Sequence, residues 1–237
     1  MTPLVADRFE AYGPSHLTVL AICVVGIVAI MLFGRRAQST GVNRGFAVAI
    51  VLVTIPLQVL QLLPEEWNPR TSLPLQLCDL AWMFAVYSLW TRSRLSATVT
   101  YFWGITLTTQ AMLTPDLASA FPEPRFLMFW AMHVLVVWAA VHLVFGLRLL
   151  PTWSTYWRTV GITAVWAGAV MVFNTVADTN YGYLNGKPAS ASILDLLGPW
   201  PVYVAVEIIL IMAVWAWMTW PWVRQASHLQ TPAHKLP

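Results

Sequence analysis

Apolar residues fall in seven blocks of 16 to 22 residues, separated by connectors that hold most of the charge and proline. The blocks are His16 to Phe33, Phe46 to Leu63, Leu75 to Trp90, Ser96 to Leu113, Phe126 to Leu147, Tyr156 to Val176 and Pro201 to Trp220. At about 1.5 Å of rise per residue, blocks of this length match a hydrocarbon core of roughly 30 Å. The pattern predicts an all-α, polytopic membrane bundle of about seven transmembrane helices, in a single membrane-embedded domain over residues 1–237. The longest connector, Ala177 to Trp200, is expected to fold over the bundle.

Composition supports that pattern. Of 237 residues, 58% are hydrophobic and 10% charged, with a mean hydropathy of +0.65, whereas soluble domains carry about 25% charged residues. The net charge of +3 does not point to nucleic acid, because the basic residues stand singly at block ends and form no stripe. They do predict an orientation. Alternate connectors divide Lys and Arg nine to four: Arg35, Arg36, Arg44, Arg92, Arg94, Arg148, Arg158, Arg224 and Lys235 against Arg8, Arg70, Arg125 and Lys187. Positive residues stay cytoplasmic, so the N-terminus is expected outside and the C-terminus inside. Eight of the ten acids then fall outside: Asp7, Glu10, Glu65, Glu66, Asp116, Glu123, Asp178 and Asp195. The other two, Asp79 and Glu207, lie within blocks.

Polar side chains inside hydrocarbon are costly and need a partner or a purpose. They gather toward the outer ends of the blocks: Gln58 and Gln61, then Gln76, Cys78 and Asp79, then Gln110, His133 and Glu207, with Asn174, Asp178 and Asn180 beside them. Counting rise from the outer ends places Cys78, His133 and Glu207 about 5 to 10 Å deep, compatible with one outward-opening cavity. Cys78 and His133 could serve as nucleophile and base. Against this, a buried cysteine commonly acts as a small inert hydrophobe, and an intramembrane histidine can donate to a neighbouring helix and fix packing. Asp79 and Glu207 could bind a substrate, or bond to Gln76, Gln110 or Asn174 as interhelical glue. Pro56 is expected to bend the second helix. His142 lies near the cytoplasmic end, out of phase with His133. No HExxH, CxxC or GxSxG pattern and no phosphate-binding loop occurs, so no metal or cofactor is expected, a His16 and His133 metal pair being the remote alternative.

Several segments together carry a resemblance. They are Leu73-Pro74-Leu75-Gln76-Leu77-Cys78-Asp79-Leu80, Tyr101-Phe102-Trp103-Gly104 with Gln110, Leu113-Thr114-Pro115-Asp116-Leu117, Asn180-Tyr181-Gly182-Tyr183-Leu184 with Lys187-Pro188, and Leu194-Asp195-Leu196-Leu197-Gly198-Pro199-Trp200-Pro201. In this order they resemble the YwaF-like bacterial integral membrane proteins, whose eukaryotic relatives include a transmembrane acyltransferase acting on ether lysophospholipids. The resemblance implies a multi-pass protein of the bacterial cytoplasmic membrane. It places the family's proposed catalytic cysteine and histidine on Cys78 and His133. One position departs: family members commonly carry histidine two residues before the cysteine, where this chain has Gln76.

The expected function is a lipid acyltransferase or transacylase with an outward polar cavity, a membrane lipid as partner and no nucleic acid. Cys78 and His133 would be catalytic, and Gln76, Asp79, Gln110, Asn174, Asp178, Asn180 and Glu207 would contact substrate. The alternatives are a lipid hydrolase and a non-enzymatic carrier of a lipid or small amphiphile.

Overall fold

A computed structural model describes residues 9–115, 117–188 and 192–230, with side chains to residue 225. Asp7, Arg8, Asp116 and Lys235, which entered the charge count, lie outside the described residues. The described chain is all-helical: α1 (Pro14–Phe33), α2 (Thr40–Leu62), α3 (Leu77–Thr91), α4 (Arg94–Phe102), α5 (Thr109–Leu113), α6 (Pro124–Val141), α7 (Trp153–Ala177) and α8 (Val202–Gln230). A π-helical segment, Trp103–Thr108, joins α4 to α5, and a second, His142–Gly146, extends α6.

Local chemistry sets the ends. Ser39, Ser93 and Thr152 cap α2, α4 and α7 by accepting from Val42, Ser96 and Thr155 amides at 3.2, 3.5 and 3.2 Å. Pro14 and Pro124 open α1 and α6, where a missing N–H costs nothing. Arg92 and Asp178 stop α3 and α7 in the left-handed region, at φ 55° and 51°.

Most helices begin or end within a few residues of their apolar blocks, with instructive exceptions. α2 starts six residues before Phe46, because Ser39 caps the helix at Thr40, ahead of the polar Asn43 and Arg44. It also runs through Pro56 without interruption. α8 continues past Trp220 and Pro221 to Gln230. α3 starts at Leu77 instead of Leu75, since the Leu75 amide turns back onto the Leu73 carbonyl and Gln76 is the extended cap residue.

Five helices are long and apolar enough to cross a membrane: Pro14–Arg36, Thr40–Leu62, Pro124–Gly146, Trp153–Ala177 and Val202–Gln225. Two segments differ. α3 has 15 residues, and the rod formed by α4, the π-helical segment and α5 is rich in hydroxyls. That rod takes the centre of the bundle, every residue from Ser96 to Gly104 being buried. Four of its threonines satisfy themselves along the helix: Thr98 donates to the Arg94 carbonyl (2.9 Å), Thr100 to Ser96 (2.9 Å), Thr106 to Phe102 (2.6 Å) and Thr109 to Gly104 (3.1 Å). It also bonds outward to three neighbours. Ser88 of α3 donates to Ser96 (2.8 Å), the Thr98 and Thr155 hydroxyls meet at 3.0 Å between the rod and α7, Trp103 donates to Thr163 of α7 (3.0 Å), and Trp215 of α8 to Thr106 (3.2 Å). The Trp215 indole stacks on Phe102 with centroids 5.0 Å apart. α1, by contrast, lies at the margin and packs chiefly on α6.

Hydrogen bonds tie the connectors into two opposite ends. At one, Gln38 donates to the Gly146 carbonyl (2.8 Å) and Arg92 to the Gln38 carbonyl (2.5 Å). At the other, Tyr12 donates to the Leu113 carbonyl (2.8 Å), Arg125 pairs with Glu66 (2.9 Å) and Arg70 with Asp178 (2.5 Å). The first is the basic end and the second the acidic end.

Close packing at the centre predicts a contrast between two glycines. A Cβ at Gly104 would stand 2.9 Å from Ala140 Cβ, whereas one at Gly161 of α7 meets nothing within 4 Å. Gly104→Leu is expected to destabilise the bundle by about 1–3 kcal/mol through overpacking, and Gly161→Leu to leave it unchanged, as read by thermal unfolding in detergent micelles.

Candidate active site

The connector before α3 and the turn after α7 hold each other at the acidic end. Tyr181, fully buried, donates through its hydroxyl to the Pro69 carbonyl (2.8 Å) and accepts from the Leu73 amide (3.0 Å). Trp166 donates to the Leu75 carbonyl at 3.0 Å, and Gln58 to the Ser72 carbonyl at 2.9 Å. Burial holds the Tyr181 phenol above the ordinary tyrosine range, the Leu73 amide opposes that, and the Asp79 charge adds to it.

Asn174 organises this turn. Its Nδ2 donates to the Tyr181 carbonyl (2.9 Å) and to Asn185 Oδ1 (3.0 Å), while its Oδ1 accepts from Thr179 Oγ1 (2.9 Å) and the Tyr181 amide (2.8 Å). All four of its hydrogen-bonding positions are thus used inside the protein. Asn180 likewise donates to the Gly186 carbonyl (2.7 Å) and accepts from the Asn185 amide (3.1 Å). Asp178 is exposed and paired with Arg70. These three residues shape the loop beside the site.

Gln76 joins that loop to α3. Its Oε1 accepts from the Gly182 amide at 2.9 Å, and its own amide donates to Asp79 Oδ2 at 3.1 Å, the carboxylate reaching back to the cap residue. Gly182 adopts φ 67°, and a Cβ there would stand 2.5 Å from the Trp166 ring, so the turn admits no larger residue without a shift. Cys78, half-buried, occupies the first turn of α3, between Gln76 and Asp79 in sequence, and packs against the main core. Neither it nor Cys23 is in a disulfide.

His133 lies on α6, which packs against both α3 and the π-helical segment Trp103–Thr108. Its ring is buried, 4.1 Å from that of Phe129 between centroids. Nδ1 is 2.7 Å from the Phe129 carbonyl, an acceptor, so Nδ1 carries the proton. Neutral imidazole then has its lone pair on Nε2, which is buried with no hydrogen-bond partner among the described residues. The packing role expected for this histidine, donation to a neighbouring helix, is not what it does: it donates within its own helix and leaves a basic nitrogen free.

Two other buried polar atoms lack partners on the segments around it, Trp82 Nε1 on α3 and Thr108 Oγ1 on the π-helical segment. With His133 Nε2 and Trp130 Nε1 of α6 they make four unsatisfied groups on three mutually packed segments, each costing about 1–3 kcal/mol if left so. Trp82 stands one helical turn beyond Cys78, a spacing readable from sequence. Thr108 carried no such signal, since its neighbours Thr106 and Thr109 are ordinary self-bonded threonines. Glu207 is half-buried near the start of α8, without an ion-pair partner among the described residues, and Gln110 is half-buried on α5.

The other two histidines with described side chains, His16 and His142, are occupied. His16 receives the Tyr12 amide on Nδ1 (2.9 Å), and its Nε2 donates to the Met112 carbonyl (2.8 Å), so no lone pair is left for a metal. His142 donates from Nε2 to Asn43 Oδ1 (2.8 Å) near the basic end.

Gln76→Leu is expected to release the Gly182 amide and speed its hydrogen exchange by tenfold or more, on the order of one lost hydrogen bond of about 1.4 kcal/mol. Exchange mass spectrometry of the 178–187 segment checks this against an unchanged α6.

A comparison with curated proteins and one with solved structures each find no match. A profile of the TMEM164 family, in contrast, matches residues 11–219, from the turn before α1 to the second half of α8. The apolar helices and this match agree: the chain is a multi-pass membrane protein that belongs to the TMEM164 family.

Proposed function

We propose that this protein is a membrane-embedded lipid acyltransferase or transacylase in which Cys78 is the nucleophile and His133 the general base. The observation that carries the reading is the unpartnered Nε2 of a fully buried histidine whose other nitrogen is fixed by Phe129. A lone pair held in that state inside an apolar bundle suits proton exchange better than packing. Cys78 on α3, which packs against α6, supplies a free thiol.

The chemistry balances without a cofactor. His133 Nε2 takes the Cys78 proton as sulfur attacks the ester carbonyl of an acyl lipid; the imidazolium returns that proton to the departing lysolipid oxygen, leaving a thioester. An acceptor hydroxyl then gives its proton to Nε2 and attacks the thioester, and the Cys78 sulfur leaves and is reprotonated. Gln76 and Asp79 position the first turn of α3. Gln110 and Glu207 stand where a headgroup would enter, and Asn174, Asp178 and Asn180 support that entrance through the loop. With water as acceptor the same steps make a hydrolase.

The reading further takes all seven rods as membrane spans, α3 and the central hydroxyl-rich rod being shielded by the five apolar helices. It places the N-terminus and acidic end outside, by the excess of arginine at the other end, in a bacterial cytoplasmic membrane, as a YwaF-like member of the family. A non-enzymatic lipid carrier is the second reading. Its support is Glu207, a half-buried carboxylate that has no cation partner among the described residues and that a headgroup amine would satisfy.

In nanodiscs containing a labelled acyl phospholipid and a lysophospholipid, Cys78→Ala is expected to abolish acyl exchange, and His133→Asn to slow it by at least roughly 100-fold. Undiminished exchange by Cys78→Ala would overturn the covalent mechanism. Native mass spectrometry separates the carrier: lipid copurifying with Cys78→Ala but lost on Glu207→Gln, with no exchange by the unaltered protein, favours binding alone.

A further inference from the structure

The two ends of the bundle treat their cations differently. At the acidic end every described cation is paired, Arg70 with Asp178, Arg125 with Glu66 and Lys187 with Asp195. At the basic end the segments 34–45, 91–95, 146–155 and 221–230 hold no aspartate or glutamate at all. Its arginines instead lie on aromatic rings, as Arg44 does on Trp90 (4.9 Å) and Arg148 on Trp222 (5.6 Å), or bond neutral oxygens, as Arg148 does with Gln225 Oε1 (2.8 Å). Rings and amides position a guanidinium without neutralising it, which leaves Arg44 and Arg148 able to take an anion from outside the chain.

One place on this end is shaped to receive it. A hollow of about 340 Å³ opens between the start of α4, the 148–152 connector and the end of α8, lined by Arg94, Arg148, Thr152, Trp153 and Trp222 with Pro151 at its side. The guanidinium groups come from two different connectors. Arg148 is held in place by Trp222 and Gln225, so its planar fork is pre-oriented. The tryptophans mark headgroup depth.

We propose that this hollow is a binding site for the phosphate of an anionic phospholipid headgroup, distinct from the Cys78 and His133 region at the other end. Two forks from separate segments can each take phosphate oxygens in the paired geometry that makes such contacts strong. The apolar lining beside the arginines, Leu150, Trp153 and Trp222, gives the glycerol ester region a surface to rest against. Basic pockets between helices at a membrane surface recognise acidic headgroups on this principle.

The test uses the full-length protein in detergent with dioleoyl phosphatidylglycerol, dioleoyl phosphatidylcholine or inorganic phosphate. Phosphatidylglycerol is expected to raise the unfolding temperature and form native mass spectrometry adducts where phosphatidylcholine does not. Arg94→Gln with Arg148→Gln should weaken those adducts roughly tenfold or more, while Arg35→Gln with Arg36→Gln, at the same end but away from the hollow, should keep them. Equal adducts with both lipids, or equal losses from the two double variants, would overturn the site in favour of diffuse charge. Displacement of the lipid by millimolar phosphate alone would assign the hollow to the free anion and overturn the lipid. Should the Arg94 and Arg148 variant fail to fold, a photoactivatable phosphatidylglycerol on the unaltered protein decides. Labelling concentrated in peptides containing 148–153 and 222 supports the site, and labelling spread evenly to 35–36 refutes it.

Discussion

Hydroxyl groups buried away from water must find a carbonyl or another hydroxyl, and that requirement decides where each helix of this bundle stands. The rod from Arg94 to Leu113 carries more serine and threonine than a lipid-facing helix tolerates, so it lies inside and α3, α6, α7 and α8 surround it. Its own carbonyls absorb most of the hydroxyls, and the others become links to Ser88, Thr155, Thr163 and Trp215. Apolar helices are interchangeable in lipid; these directional bonds give each neighbour an address.

The same rule makes unsatisfied groups informative. Asn174 uses all four of its positions and His16 both of its nitrogens, whereas His133 Nε2 is one of six buried side-chain atoms without a partner among the described residues, and the basic nitrogen among them. It is the kind of local departure that a reaction centre requires and a stable core avoids.

Hydropathy alone located the helices, because the cost of exposing backbone to lipid forces long apolar runs into helix. It misjudged ends such as Thr40, where a capped helix begins in polar sequence, and it could not see that the Ser96 block is a central, π-distorted rod. Polar residues toward the acidic end were legible as a group from their positions. Their division into loop builders and open chemistry was not. Asn174 and His133 look equally suggestive in sequence; only the count of partners around each separates an organising amide from a basic nitrogen with nothing to bind. That count depends on residues far apart in the chain, as Gln76 and Gly182 illustrate.

The tight turn at Arg92 and Ser93, with Ser88 bonded to Ser96 across it, bears on how the protein is made. A hydroxyl-rich segment leaves the translocation channel for lipid reluctantly by itself. On the seven-span arrangement, α3 and α4 would instead emerge as a preformed hairpin, the earlier helix waiting beside the channel until its partner is synthesised. The two-residue link and the serine pair would then act first as a device of biogenesis, and only afterwards as architecture.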